Sequence, residues 1–170
     1  MVVEGREDIV KESIIDVARL MALSATTAPK AKGIDNVVVG IVKDREDMEK
    51  LAKAMEELAV HAGDFFKRGA DNVRRSSAVV LMGCKVKDVG VKTPPGYPYD
   101  LNLVLSSINL GIAVGSAAKT ASNHNVDNRV IYSAGLAAQA LKLIDADVVV
   151  AIPLSATSKS VYFDRPSITK

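Results

Sequence analysis

The segment from Leu101 to Asn123, LNLVLSSINLGIAVGSAAKTASN, constrains the fold more than any other part of the chain. It has the length and composition of a helix whose middle is almost entirely small or apolar. Gly111, Gly115, Ala118 and Ser122 recur at spacings of four, three and four, which stacks them on one side of a helix and leaves a groove with almost no side chain. Glycine inside a helix costs about 1 kcal/mol relative to alanine, so two of them one turn apart mark a close approach. Three neighbours satisfy that requirement: another helix in the core, a second subunit, or a flat ligand.

The rest of the chain must build its core from small and branched aliphatic residues, because 48% of it is hydrophobic while only 4% is aromatic and tryptophan is absent. At 170 residues it is read as a single domain able to bury a core without metal or disulfide help. Its 22 basic and 20 acidic residues leave a formal charge of +2, which provides no electrostatic footprint for nucleic acid. The lone Cys84 forms no internal disulfide and fits a reducing cytoplasm. The opening MVVEGREDIV lacks the apolar run of a secretory signal, and no uninterrupted apolar run of membrane-spanning length is read. A soluble protein is expected.

Periodicity supplies the order of elements. Ile9, Val10, Ile14, Val17, Leu20 and Met21 predict a first helix from Glu7 to about Ala28, stopped by Pro29 and Gly33. Val37 to Val42 reads as a buried strand. Met48, Leu51, Ala52, Met55, Leu58 and Ala59 form the inner stripe of a second helix, which Gly63 divides from a piece carrying Phe65, Phe66 and Val73. Ser77 to Cys84 is a second strand. Residues 85–100, with Gly90, Pro94, Pro95, Gly96 and Pro98, form one long irregular loop, read as a lid or as the scar of a lost insertion. After the central helix a short strand is predicted at Val130 to Tyr132, a short helix from Leu136 to about Asp145, and a third firm strand from Val148 to Ile152 ended by Pro153. A C-terminal tail follows over 162–170.

Two stretches are rich in hydroxyl and ammonium groups. The first, Ser24 to Gly33, contains Ser24, Thr26, Thr27, Lys30 and Lys32. The second, Ser155 to Ser160, contains Ser155, Thr157, Ser158 and Lys159. Each reads either as a solvated connection or as an anion loop, since side-chain donors of this kind make charge-assisted hydrogen bonds to phosphate. The short motifs of nucleotide binding, serine hydrolysis and zinc chemistry are absent. His61 has no companion at ligand spacing, and no metal site is expected. Cys84, beside Lys85 and Lys87, reads as a small apolar filler or as a thiol of lowered pKa.

Four segments together carry a resemblance over nearly the whole chain: LMALSATTAPKAKGIDNVVVGIV, SSAVVLMGCK, INLGIAVGSAAKTASNHNVDNRVIYSAG and IPLSATSKSVYFDR. They resemble a prokaryotic family of ferredoxin-domain-containing proteins of unknown function, found in archaea and anaerobic bacteria. That family is expected to carry a cysteine-rich insert for an iron–sulfur cluster between the second strand and the central helix. Here the corresponding residues, 85–107, contain no cysteine, and Cys84 alone does not supply four thiolates, so no cluster is expected.

The order of elements is also similar to that of flavin-dependent nitroreductases. This likeness implies an α+β fold with a central mixed sheet flanked by helices, a three-layer α/β arrangement being the alternative. It further implies a homodimer through Gly111, Gly115, Ala118 and Ser122, with FMN or another small phosphate-bearing ligand between subunits. Ser24, Thr26, Thr27, Lys30, Lys32, Ser155, Thr157, Ser158, Lys159 and Arg165 are then the candidate cofactor-binding residues. The nitroreductases' N-terminal arginine motif is not evident. The alternative function is a non-catalytic binding or assembly module that kept the fold after losing its insert.

Overall fold

The computed structural model describes residues 3–163. Its first helix, α1 (Arg6–Thr27), buries Ile14, Val17, Ala18, Met21 and Ala25, the stripe that periodicity predicts. A turn of 3-10 helix at Ala31–Gly33 leads into β1 (Val37–Val42). Helix α2 (Arg45–Ala62) lays Met48, Leu51, Ala52, Met55 and Ala59 inward. Gly63 ends it with φ 106°, a conformation that disfavours any side chain, and the chain reverses into α3 (Phe65–Arg74). β2 (Ala78–Cys84) follows and is buried at every position.

The order of strands in the sheet is β1-β2-β4-β3, and all three pairs are antiparallel. A mixed sheet was expected. The connection between β1 and β2 contains two antiparallel helices rather than one, so the chain re-enters the sheet in the opposite direction. After residues 85–100, which contain no helix or strand, come α4 (Leu101–Asn123), β3 (Asp127–Asn128), α5 (Tyr132–Ala140) and β4 (Val148–Ser155).

Alternation along the strands divides the interior in two. Ala78, Val80, Met82, Cys84, Ile152 and Leu154 face α1 and α4. Val79, Leu81 and Ala151 face α2, α3 and α5. The α+β fold therefore has helices on both faces of its sheet. Helix α5 lies so close to β4 that a Cβ on Gly135 would stand 2.1 Å from the Val149 carbonyl oxygen. Only glycine fits there.

Two boundaries differ from expectation for one reason. β4 runs through Pro153 to Ser155, and the predicted strand at Val130–Tyr132 is replaced by the two-residue β3 and a single bridge between Ile131 and Ala151. Asp127 pairs with Ser155 and Ile131 with Ala151, which sets Arg129 opposite Pro153. Proline has no N–H to donate toward that position, so the ladder lapses there and β3 is cut short while β4 continues along β2.

Helix α4 is apolar enough, at a mean hydropathy of 1.5 over 18 residues, and long enough to cross a bilayer by length and composition alone. Its polar residues, Asn102, Ser106, Ser107 and Asn109 among them, still leave it without an uninterrupted apolar run of that length, as expected from the sequence. Leu110, Ala113, Ala117 and Ala121 nevertheless pack into the core shared with α1 and the sheet.

Candidate functional site

The packing of α4 turns its glycines outward. A Cβ on Gly111 or Gly115 would meet nothing within 4 Å, and Ile108 and Ile112 beside them are 50% and 42% exposed. Of the three neighbours that the spacing allows, a helix among the described residues is thereby removed. Ser122 is also exposed and Ala118 is half-buried. Leu20 and Leu23 on the neighbouring α1 are exposed as well, so the α1–α4 surface carries more large apolar side chains than solvent contact requires.

The first polar stretch is largely helix. Ser24, Thr26 and Thr27 sit in the last turn of α1, and their hydroxyls donate to the carbonyls of Leu20, Ala22 and Leu23 at 3.0, 2.9 and 3.3 Å. Ser24 Oγ also lies 2.6 Å from Thr120 Oγ1 of α4, and Ser116 Oγ donates to the Ser24 carbonyl. Lys30 Nζ donates to the carbonyls of Ala25, Thr26 and Ala28 at 2.9, 2.5 and 3.0 Å, capping the negative end of α1. An ammonium has three protons, and all three are spent. Lys32, in a left-handed conformation at φ 53°, is exposed and lies against Gly90 of the long loop.

The second stretch follows β4 at the opposite end of the sheet. β1 begins opposite Cys84 and β4 ends opposite Ala78, so the two stretches flank different ends of β2. α1 separates them by its 22 residues, roughly 33 Å. The sequence-predicted residues thus do not converge within one chain. Arg165 lies outside the described residues.

Thr157 and Ser158 instead line a groove of about 730 Å³ with Gly5, Arg6, Lys11 and Ser77. It continues through Lys11 and Ser77 into a second hollow of about 510 Å³ bounded by Lys43, Asp44 and Arg45. Two helix N-termini open here. Neither Gly5 of α1 nor Asp44 of α2 caps its helix with a side-chain hydrogen bond, so the first-turn N–H groups have no side-chain acceptor from the cap residue. Arg6, Lys11, Lys43 and Arg45 outnumber Glu7, Asp8 and Asp44 by one charge. Lys159 is exposed just beyond, and the Thr157 hydroxyl donates to its carbonyl at 2.5 Å. Periodicity assigns Lys11 to the outer face of a helix and leaves Arg6 just ahead of the predicted start at Glu7. What brings them to Thr157 is the placement of α1 across the end of β4, for which no local motif exists.

Ser155 faces away from the groove and is 1% exposed. Beside it Tyr162, expected as part of a free tail, is buried at 3% exposure with its hydroxyl 2.9 Å from Ser76 Oγ. Burial, reinforced by the charge of Asp127 and offset in part by the Ser76 and Ser155 hydroxyls, pushes the Tyr162 hydroxyl up to about 12.

Cys84 is fully buried, and burial followed by the nearby Asp147 charge raises its thiol above the ordinary value, which makes it a core filler rather than a reactive thiolate. Among the described residues no three His, Cys, Asp or Glu side chains group as metal ligands. One buried thiol does not fit a cluster that needs four.

The model for "uncharacterized protein containing a ferredoxin domain (DUF2148)" matches residues 101–165. An uncharacterised protein of Archaeoglobus fulgidus is 41% identical, over 95% of this chain and 96% of its own length. Among solved structures, a BluB-like flavoprotein from Clostridium difficile is 19% identical with a TM-score of 0.56, over 89% of this chain and 85% of that one. The NADPH:FMN oxidoreductase from Vibrio harveyi is 12% identical with a TM-score of 0.59, over 85% of this chain. The chain spans only 60% of that oxidoreductase's length and 58% of a hypothetical oxidoreductase from Bacillus subtilis. These structures share the fold of nitroreductase-family proteins. The chain therefore adopts the nitroreductase fold and belongs to the family of uncharacterised proteins containing a ferredoxin domain.

Proposed function

We propose that this is a cytoplasmic redox protein that binds FMN, or another ligand ending in a phosphate, at the interface of a homodimer. The observation that carries this reading is the groove at the N-termini of α1 and α2, where Arg6, Lys11, Ser77, Thr157 and Ser158 supply donors, Glu7 and Asp8 balance the two cations, and Lys43 and Arg45 of the adjoining hollow leave a positive excess for an anion. A flavoprotein and an FMN oxidoreductase of the same fold support it. FMN, when bound, supplies the electron and hydride chemistry. The chain's own residues hold and orient its phosphate.

The open face of α4 accounts for the separated loops. α1 and α4 run antiparallel, since Ser24 meets Thr120 while the Ala31 N–H donates to Asn109 Oδ1 at 2.8 Å. The first stretch therefore starts against Thr120 and Ser116 in the C-terminal half of α4 and ends, with Ala31 and Lys32, beside Asn109, while the groove lies beyond the C-terminal end of α4, where β3 pairs with Ser155. A two-fold axis through the Gly111–Gly115 face reverses the helix. It carries Lys32 of the partner subunit toward the groove, so one ligand can draw on both polar stretches.

FMN titrated by fluorescence quenching tests the reading. Lys11→Ala is expected to weaken binding about tenfold, the loss of one partly exposed charge-assisted contact. No binding by the unaltered protein at any accessible concentration would sink the flavin hypothesis. The assembly module would then be the better account, and the consumption of the Lys30, Thr26 and Thr27 donors by α1 itself already favours it.

A further inference from the structure

We infer that Tyr162 is a positioning residue for the groove: it fixes the loop that carries Thr157 and Ser158, working through Ser76. The loop leaves β4 at Ser155, and beyond the groove Tyr162 is its next buried residue. The Ser76 hydroxyl donates its one proton to the Asn72 carbonyl at 2.6 Å, so in the 2.9 Å contact between Ser76 and Tyr162 the tyrosine is the donor. The contact thus ties a donor at the end of the loop to an acceptor fixed on the end of α3.

Both sides of this joint reach the groove. Ser76 lines the second hollow, its carbonyl accepts from Arg45 Nη1 at 3.1 Å, and Ser77 next to it lines the first. On the loop side the backbone is clamped twice. Arg129 Nη1 donates to the Tyr162 carbonyl at 3.1 Å while its guanidinium stands 5.1 Å from the centre of the Phe163 ring, and Arg75 Nη1 reaches the Val161 carbonyl at 3.5 Å. The pocket is tuned to the hydroxyl rather than to the ring alone. Ser155 Oγ and Asp127 Oδ2, which lie beside Tyr162 on paired residues of β4 and β3, are buried and make no hydrogen bond among the described residues. Removing the one good polar contact there leaves nothing to replace it.

The purpose assigned to this joint rests on the groove being the phosphate site, whereas the joint itself does not. Tyr162→Phe keeps the ring and deletes the hydroxyl. Amide hydrogen exchange over 156–161 is expected to quicken at least fivefold, with exchange in α4 and β2 unchanged, and affinity for inorganic phosphate and for FMN is expected to fall about fivefold. Ser76→Ala, which removes the acceptor, should reproduce both effects. Unchanged exchange over 156–161, or a rise spread evenly over the chain with a lowered Tm, would overturn the inference, because a merely structural tyrosine moves the whole fold together. Faster loop exchange in a protein that binds neither phosphate nor FMN would support the positioning and overturn the function proposed above.

Discussion

The two polar stretches look alike on paper and behave as opposites in the fold. Each begins Ser-Ala-Thr, each adds lysine, and each follows an apolar element. The first continues α1, where the hydroxyls of Ser24, Thr26 and Thr27 bond back to carbonyls one turn earlier and the carbonyls at the helix end take up the whole ammonium of Lys30. The second follows a strand, whose carbonyls are already committed to the ladder, so Ser158 keeps its place at the rim of a groove, while the Thr157 hydroxyl beside it donates to the Lys159 carbonyl. What a donor-rich segment can offer a ligand depends on what the preceding element leaves unsatisfied.

The largest expected effect comes from keeping the two stretches apart. Gly115→Leu adds a side chain where a Cβ meets nothing within 4 Å among the described residues. The monomer should be no less stable, and the loss of a helical glycine should favour it by up to about 1 kcal/mol. A second α4 packed on that face would be forced away, and self-association is expected to weaken at least a hundredfold, or about 3 kcal/mol. Light scattering and sedimentation read the assembly, and thermal melting reads the monomer. If the unaltered protein is already monomeric at micromolar concentration, the two stretches never share a ligand.

A smaller effect separates the two lysines of the first stretch. Lys30 is 5% exposed and bonded to three carbonyls, so Lys30→Ala should cost about 1–3 kcal/mol of stability with no direct effect on ligand contacts. Lys32→Ala should leave the apo Tm within a degree or two yet weaken FMN binding several-fold in the dimer. In the Gly115→Leu background it should change nothing. Equal behaviour of the two lysines in melting and titration would erase the distinction drawn between them.

Periodicity made α1, α2, α3 and β2 legible, because each buries a stripe or a run that recurs at its own period, and it located β1, which as an edge strand is half-buried throughout rather than buried as expected. The spacing of Gly111 and Gly115 showed that α4 reserves room, but it did not tell core from surface. That depends on which side of α4 meets α1, and Ala113, Ala117 and Ala121 are as small as the residues opposite them. Pro153 misled by a different route. A proline ends a strand only where its missing N–H is needed, and here the loss fell on the partner strand, β3. The groove was illegible because Arg6, Ser77 and Thr157 meet only through the sheet register and the placement of α1. Tyr162 was hidden by its position near the end of the chain, where termini are ordinarily loose.

The smallest expected effect makes the sharpest test of the comparison, since it sets one hydroxyl of each stretch against the other. Thr26 Oγ1 donates back to the Ala22 carbonyl on an exposed turn of α1, a bond that competes weakly with the helix's own and adds little. Thr26→Ala also gains helix propensity, so stability should shift by less than about 0.7 kcal/mol in either direction. Affinity for phosphate should not change, because the hydroxyl proton is already committed to the helix. Ser158 is exposed at the groove and follows a strand rather than a helix. Ser158→Ala should leave the Tm unchanged but weaken phosphate binding about two- to fivefold, equivalent to roughly 0.5–1 kcal/mol, the worth of one neutral hydrogen bond. Parallel titrations of inorganic phosphate and FMN into the two variants decide it. Should Thr26→Ala lower affinity as much as Ser158→Ala, the hydroxyls of α1 are available to a ligand after all, and the preceding element does not govern what a polar stretch can bind.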